Sequence, residues 1–139
     1  MNKKIIIPLA IATVVLSLAG FSFITAADEI STTTLLETSK TVIGQDIQYP
    51  SGVADITSKI ITIPPGVQTG FHTHEYPLFA YIMEGKVSVT YGNESSDTEL
   101  VTKEFLTGDS FVEAIKYSHN GVNTGDIPVK ILIVIMGAN

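Results

Sequence analysis

The chain has 139 residues with 8 Lys, no Arg, 14 Asp plus Glu and no Cys, giving a formal charge of −6. An acidic surface repels phosphate backbones, so nucleic acid is not an expected partner. The missing Arg removes the planar fork that usually grips phosphates and carboxylates, and the missing Cys excludes disulfides, thiol catalysis and Cys-rich zinc sites.

Residues 1–26 read as a secretory signal. Lys3 and Lys4 form its positive end, Ile5 to Phe23 is mostly apolar, and Thr25-Ala26-Ala27 offers small residues for cleavage after Ala26 or Ala27. The alternative is an uncleaved anchor, because the apolar run approaches the ~20 residues that span a bilayer. Cleavage would leave roughly 112 residues, enough for one domain, with a formal charge of −8 once Lys3 and Lys4 are gone. The expected product is periplasmic or secreted, with no stable membrane insertion.

Residues 27–50 are polar and Thr-rich, a linker or first edge strand, and residues 51–139 form the domain proper. Lys59 to Ile63 is a β-branched strand closed by Pro64-Pro65-Gly66. Phe79 to Glu84 is a second strand, turned by Gly85. In Lys86 to Tyr91, Val87 and Val89 share one face while Lys86, Ser88 and Thr90 share the other. Gly92 to Asp97 is a polar loop. Glu99 to Phe105, Ser110 to Ile115 and Val129 to Met136 are further strands, the last so apolar that burial on both faces is expected. No segment outside the leader carries helical spacing or caps. Many short strands between Gly/Pro turns point to an all-β sandwich or barrel.

All three histidines fall in two short segments. His72 and His74 are two apart, so in a strand both point to one face. With His119 they offer three imidazoles, the commonest metal-binding side chain. Three His with open positions is a competent catalytic arrangement for zinc, and imidazole also suits iron, copper and nickel.

The spacing of these segments resembles the cupin superfamily. The first cupin motif is Gly, five residues, His-x-His, three or four residues, Glu, six residues, Gly; here Gly66, His72-Thr73-His74, Leu78 and Gly85 fall at those places. The second is Gly, five residues, Pro, one residue, Gly, two residues, His, three residues, Asn; here Gly108, Ala114, Lys116, His119 and Asn123 do. The resemblance spans about Ile56 to Met136. It implies a double-stranded jelly-roll β-barrel with one divalent metal (Fe, Mn, Zn, Ni or Cu) held by His72, His74 and His119, and it implies a homodimer paired through edge strands.

Leu78 replaces the family's carboxylate ligand, and Ala114 and Lys116 replace its Pro and Gly. Loss of the anionic ligand should weaken the grip on hard cations such as manganese and make a bound water more acidic. Glu113, six residues before His119 in an apolar strand, is the candidate for fourth ligand, anchor of a ligand, or general base; otherwise it is a solvated edge residue. Glu75, next to His74, should face outward. Phe71, Tyr76, Phe79, Tyr81, Phe111 and Tyr117 are core residues or the lining of a pocket for an aromatic ligand. Asp109 reads as turn chemistry, and Asn123 as a backbone holder or a plain turn.

The expected protein is thus an exported cupin with one divalent transition metal. Its activity would be that of an oxidoreductase of the dioxygenase kind, or an isomerase, on a small oxygenated substrate. The alternatives are a non-catalytic cupin module for a small ligand, which Leu78 favours, and a metal-binding scaffold without substrate.

Overall fold

The computed structural model describes residues 30–92 and 100–139. The leader expected over residues 1–26 and most of the polar loop after Gly92 lie outside the described residues. Thr33–Asn139 form one compact unit. Among the described residues no helix is long and apolar enough to cross a membrane.

Among the described residues seven strands carry the fold: β1 (Ala54–Ile63), β2 (Leu78–Glu84), β3 (Lys86–Tyr91), β4 (Val101–Leu106), β5 (Ser110–Val112), β6 (His119–Val122) and β7 (Val129–Ala138). They form two antiparallel sheets, ordered β1-β7-β2-β5 and β4-β3-β6. An all-β pair of sheets fits the expected jelly roll, but the barrel is not closed. The chain between β1 and β2 explains the gap. Pro64, Pro65 and Pro77 have no N–H to give to a ladder, and this segment meets β6 through the isolated bridges Gln68↔Val122 and His72↔His119.

Strand alternation builds the core. Ile63, Leu78, Ala80, Ile82, Phe111, Val129, Ile131 and Ile133 face inward from the four-stranded sheet, and Val87, Val89, Tyr91 and Phe105 answer from the other. Phe105 stacks on Phe111 across the gap, ring centroids 3.8 Å apart, joining the sheets where no ladder does. Gly85 turns β2 into β3 at φ 78°, and a Cβ there would stand 3.0 Å from Val129 Cα, so the turn needs glycine on two counts.

Several elements differ from the sequence expectation. β1 starts at Ala54 rather than Lys59, because β7 pairs with its whole length. β5 stops at Val112 rather than Ile115, since Ile115 bridges to His74 instead. β6, His119-Asn120-Gly121-Val122, contains poor strand formers and is a strand because β3 pairs with it. β7 is not buried on both faces: Val129, Ile131 and Ile133 are buried, while Leu132, Val134 and Met136 on the outer face are half-buried, because the core lies on one side of the sheet. Over residues 30–50 there is no strand, and the Val42 N–H donates to the Val112 carbonyl (2.8 Å) beside β5.

Candidate metal centre

The first histidine segment is fastened to β6 by backbone. His72 and His119 exchange both N–H···O bonds at 3.0 Å, and the Thr69 N–H donates to the Gly121 carbonyl at 2.9 Å. This brings His72 and His119 side by side, ring centroids 4.5 Å apart, with His74 at 4.9 and 5.0 Å from them. One nitrogen from each ring falls within 4.8 Å of the others. Donors bonded to one ion at ~2.0–2.2 Å stand roughly 3–3.6 Å apart at octahedral or tetrahedral angles, so the rings would draw in by roughly an ångström on an ion. Burial deepens from His72 through His74 to His119, which is 2% exposed.

The tautomers are set by main chain. His72 Nδ1 lies 2.8 Å from the Gly70 carbonyl and His119 Nδ1 lies 2.9 Å from the Tyr117 carbonyl. A carbonyl only accepts, so each Nδ1 carries a proton, and the neutral form of either ring would offer its Nε2 lone pair to an ion. For His74, burial first, then the charges of His119 and His72, pushes the pKa down to about 4, so this ring is neutral and able to ligate at pH 7. Three imidazoles aimed together fit a divalent transition ion.

Behind the rings lies a cavity of about 90 Å³. Its walls include Leu78, Ala80, Val87, Val89, Phe111, Ile131 and Ile133, with Thr69 and Glu113 as polar groups beside the histidines. No lysine lines it. Glu113 is 6% exposed, and its Oε2 lies 3.9 Å from His119 Nε2. Glu75 faces away, its carboxylate 3.1 Å from Lys116 Nζ at the surface. Of the aromatic candidates, Phe111 reaches the cavity; Phe79 and Tyr81 sit on the opposite face of β2 from the inward Leu78 and Ala80, Phe71 and Tyr76 are exposed, and Tyr117 borders a separate surface groove.

The sequence reading missed Tyr91. Its ring packs 5.8 Å from His119, and its buried hydroxyl has no hydrogen-bond partner. Burial, then the neighbouring Glu113 carboxylate, pushes the phenol far above its usual range. The signal was available: Tyr91 shares strand parity with Val87 and Val89. Asp109 caps its turn by accepting from the Leu106 N–H (2.7 Å). Asn123 ties the Ile63 and Ile127 carbonyls, each at 2.8 Å, and so clamps the end of β1 rather than the surroundings of His119. Lys116, at the motif's second glycine position, has φ 52°, a conformation that suits glycine.

Residues 59–135 match the family described as the cupin domain, more than half of the chain. The chain belongs to the cupin family. Among solved structures it is similar to the oxalate decarboxylase of Bacillus subtilis, a protein with Mn(II) centres, at 26% identity and a TM-score of 0.53 over 60% of this chain and 22% of that one. The oxalate decarboxylase of Lactobacillus farciminis, in complex with formate, is similar at 29% identity and a TM-score of 0.51 over 60% and 25%. A Bacillus halodurans protein shares the fold at 20% identity, a TM-score of 0.53 and coverage of 60% and 64%. This chain therefore spans a quarter or less of the decarboxylases it matches. No curated protein matches it.

Proposed function

We propose that this chain is an exported metal-dependent cupin acting on a compact, oxygen-bearing substrate as an oxidoreductase of the dioxygenase kind or an isomerase. The observation that carries this reading is the convergence of three imidazole nitrogens within 4.8 Å of one another beside an otherwise apolar cavity. A divalent ion held by His72, His74 and His119 would supply Lewis acidity and a fixed point for a substrate oxygen. The apolar walls set the substrate's size, and Glu113 brings a carboxylate into the cavity, available as a general base or as a further ligand of the ion. The decarboxylase likeness supports a metal and a ligand of few atoms. The cavity lacks a cationic side chain, however, which favours a neutral or singly charged substrate over a dianion.

Elemental analysis of the untagged protein from residue 27 or 28 onward is expected to give about one equivalent of a transition metal, with dioxygen uptake or isomerisation on a panel of small hydroxy and keto compounds. No metal after reconstitution with each candidate ion would overturn the reading. A second reading, a non-catalytic binding module, is favoured by Leu78, an apolar side chain in the ligand position; ligand binding that survives chelation would select it. For export, an N-terminus at residue 27 or 28 in protein recovered outside the cytoplasm is expected, and an intact Lys3-Lys4 leader there would overturn it.

The partner we propose is a second copy. The outer face of the four-stranded sheet carries Ile56, Ile60, Leu132, Val134, Met136 and Phe79, with Lys130 at one end, and β1 is an unpaired edge. The four strands, of 10, 10, 7 and 3 residues, offer at ~3.3 Å per residue and ~4.8 Å spacing a face of roughly 480 Å² before side-chain relief, which the β1 edge would have to extend toward the ~800 Å² per partner of a standard interface. The face has no charge at its centre to repel its own copy. Sedimentation should show a dimer that Ile56→Asp/Ile60→Asp converts to monomer; a wild-type monomer at tens of micromolar would overturn this.

A further inference from the structure

The cupin pattern places a metal-binding carboxylate where this chain has Leu78. Leu78 is 3% exposed and lines the cavity, so the position faces the site but supplies no donor atom. The strand beside it supplies one. β2 and β5 pair Ala80 with Phe111 and Phe79 with Val112. One step further along that register Glu113 stands opposite Leu78, its N–H donating to the Leu78 carbonyl at 2.8 Å. Directly opposed residues share a face, with Cβ atoms ~4.5–5.5 Å apart, and both side chains line the one cavity.

The carboxylate itself is poised there. Its Oε1 accepts the Ala114 N–H at 2.7 Å, which leaves Oε2 aimed at His119 Nε2, 3.9 Å away. That separation is slightly beyond the ~3–3.6 Å between donors bonded to one ion at ~2.0–2.2 Å, and the carboxylate stands outside the group formed by the three imidazole nitrogens, so a turn of its side chain would bring it to an ion on them. A buried carboxylate is costly unless a cation answers it, and among the described residues no lysine lines the cavity. A divalent ion on the three imidazoles would answer that charge.

We propose that Glu113 is the carboxylate ligand of the metal site, relocated across one rung of the ladder from β2 to β5. This rests on the reading that the three histidines hold a metal. It restores the site to three histidines and one glutamate, and with it the charge compensation that suits harder ions such as Mn(II) and Fe(II).

The test is Mn(II) and Zn(II) titration of four proteins: wild type, Glu113→Gln, His119→Ala and the exchange Leu78→Glu/Glu113→Leu. Mn(II) electron paramagnetic resonance serves as a second readout, and thermal melts confirm folding. Glu113→Gln keeps the shape and should weaken Mn(II) binding by at least the ~10–100-fold typical of disturbing a metal's surroundings, with a smaller loss for Zn(II). The exchange keeps both side chains on the same rung and should recover Mn(II) binding to within a few-fold of wild type, with a similar resonance. If Glu113→Gln binds Mn(II) as wild type does while His119→Ala does not, the relocation is wrong and the three-histidine site stands. If wild type itself binds neither ion, the histidine site falls first and this inference with it.

Discussion

The two histidine segments reach the same point by different means. His119 sits on β6, 2% exposed, with Tyr91 of β3 as its ladder partner. His72 and His74 lie on an irregular connection whose flanking Phe71 is 40% exposed and whose links to β6 are isolated bridges. β6 keeps its pairing with β3 whatever the connection does, whereas the connection has β6 as its main support. One half of the site is therefore part of the sheet, and the other half is fastened to it. A bound ion would close the second onto the first.

The largest effect expected is that of His119→Ala. It removes a buried ring from the sheet as well as a ligand, so metal retention should vanish and stability should fall by about 2–4 kcal/mol, as for other large buried side chains cut to alanine, read by chemical denaturation of the metal-free protein. His72→Ala should also lose the metal, yet leave that stability nearly unchanged. Equal losses from the two variants would erase the contrast between the segments. Removal of the ion by a chelator comes next. Saturating metal at a thousand times its Kd adds about 4 kcal/mol by mass action. Amide exchange after chelation should rise first at 67–74 and much less at 119–122; uniform acceleration would mean the connection is no looser than the strand.

A pH effect follows from His74. Its folded pKa of about 4 lies below the ordinary 6.5, so between those values the unfolded chain binds a proton that the folded chain refuses. Metal-free protein should hold constant stability from this source above pH 6.5 and lose it as the pH falls toward 4, and His74→Asn should flatten that slope. An unchanged slope in the variant would assign the titration elsewhere. Smallest is Lys116→Gly. Relieving a side chain at φ 52° should raise stability by about 1 kcal/mol, partly offset by loss of the exposed pair with Glu75, which is worth little.

Much of this was legible in the residues. β3 appears with the bounds that its alternation predicts, since Val87 and Val89 are buried while Lys86, Ser88 and Thr90 are half-buried. The histidine spacing foretold which three rings meet, because two of them share a parity and the third closes a second motif. β6 was not legible, because Asn120 and Gly121 carry no strand preference and its pairing partner lies about thirty residues earlier. The open side of the barrel was hidden for a related reason: whether the segment around Pro64 and Pro65 forms a ladder depends on what it meets. The place of Glu113 needed the β2–β5 register, which a linear motif does not encode.

The anchors of His72 and His119 have a consequence for how such a site can change over time. Each ring is oriented by a carbonyl two residues upstream in its own chain, Gly70 for one and Tyr117 for the other. No side-chain replacement at either position deletes a main-chain oxygen. The direction of each Nε2 lone pair is thus inherited with the backbone path, while the side chains between and around the ligands are free to drift. A lineage can remodel the cavity wall, and with it the choice of substrate, without renegotiating the geometry of the imidazoles.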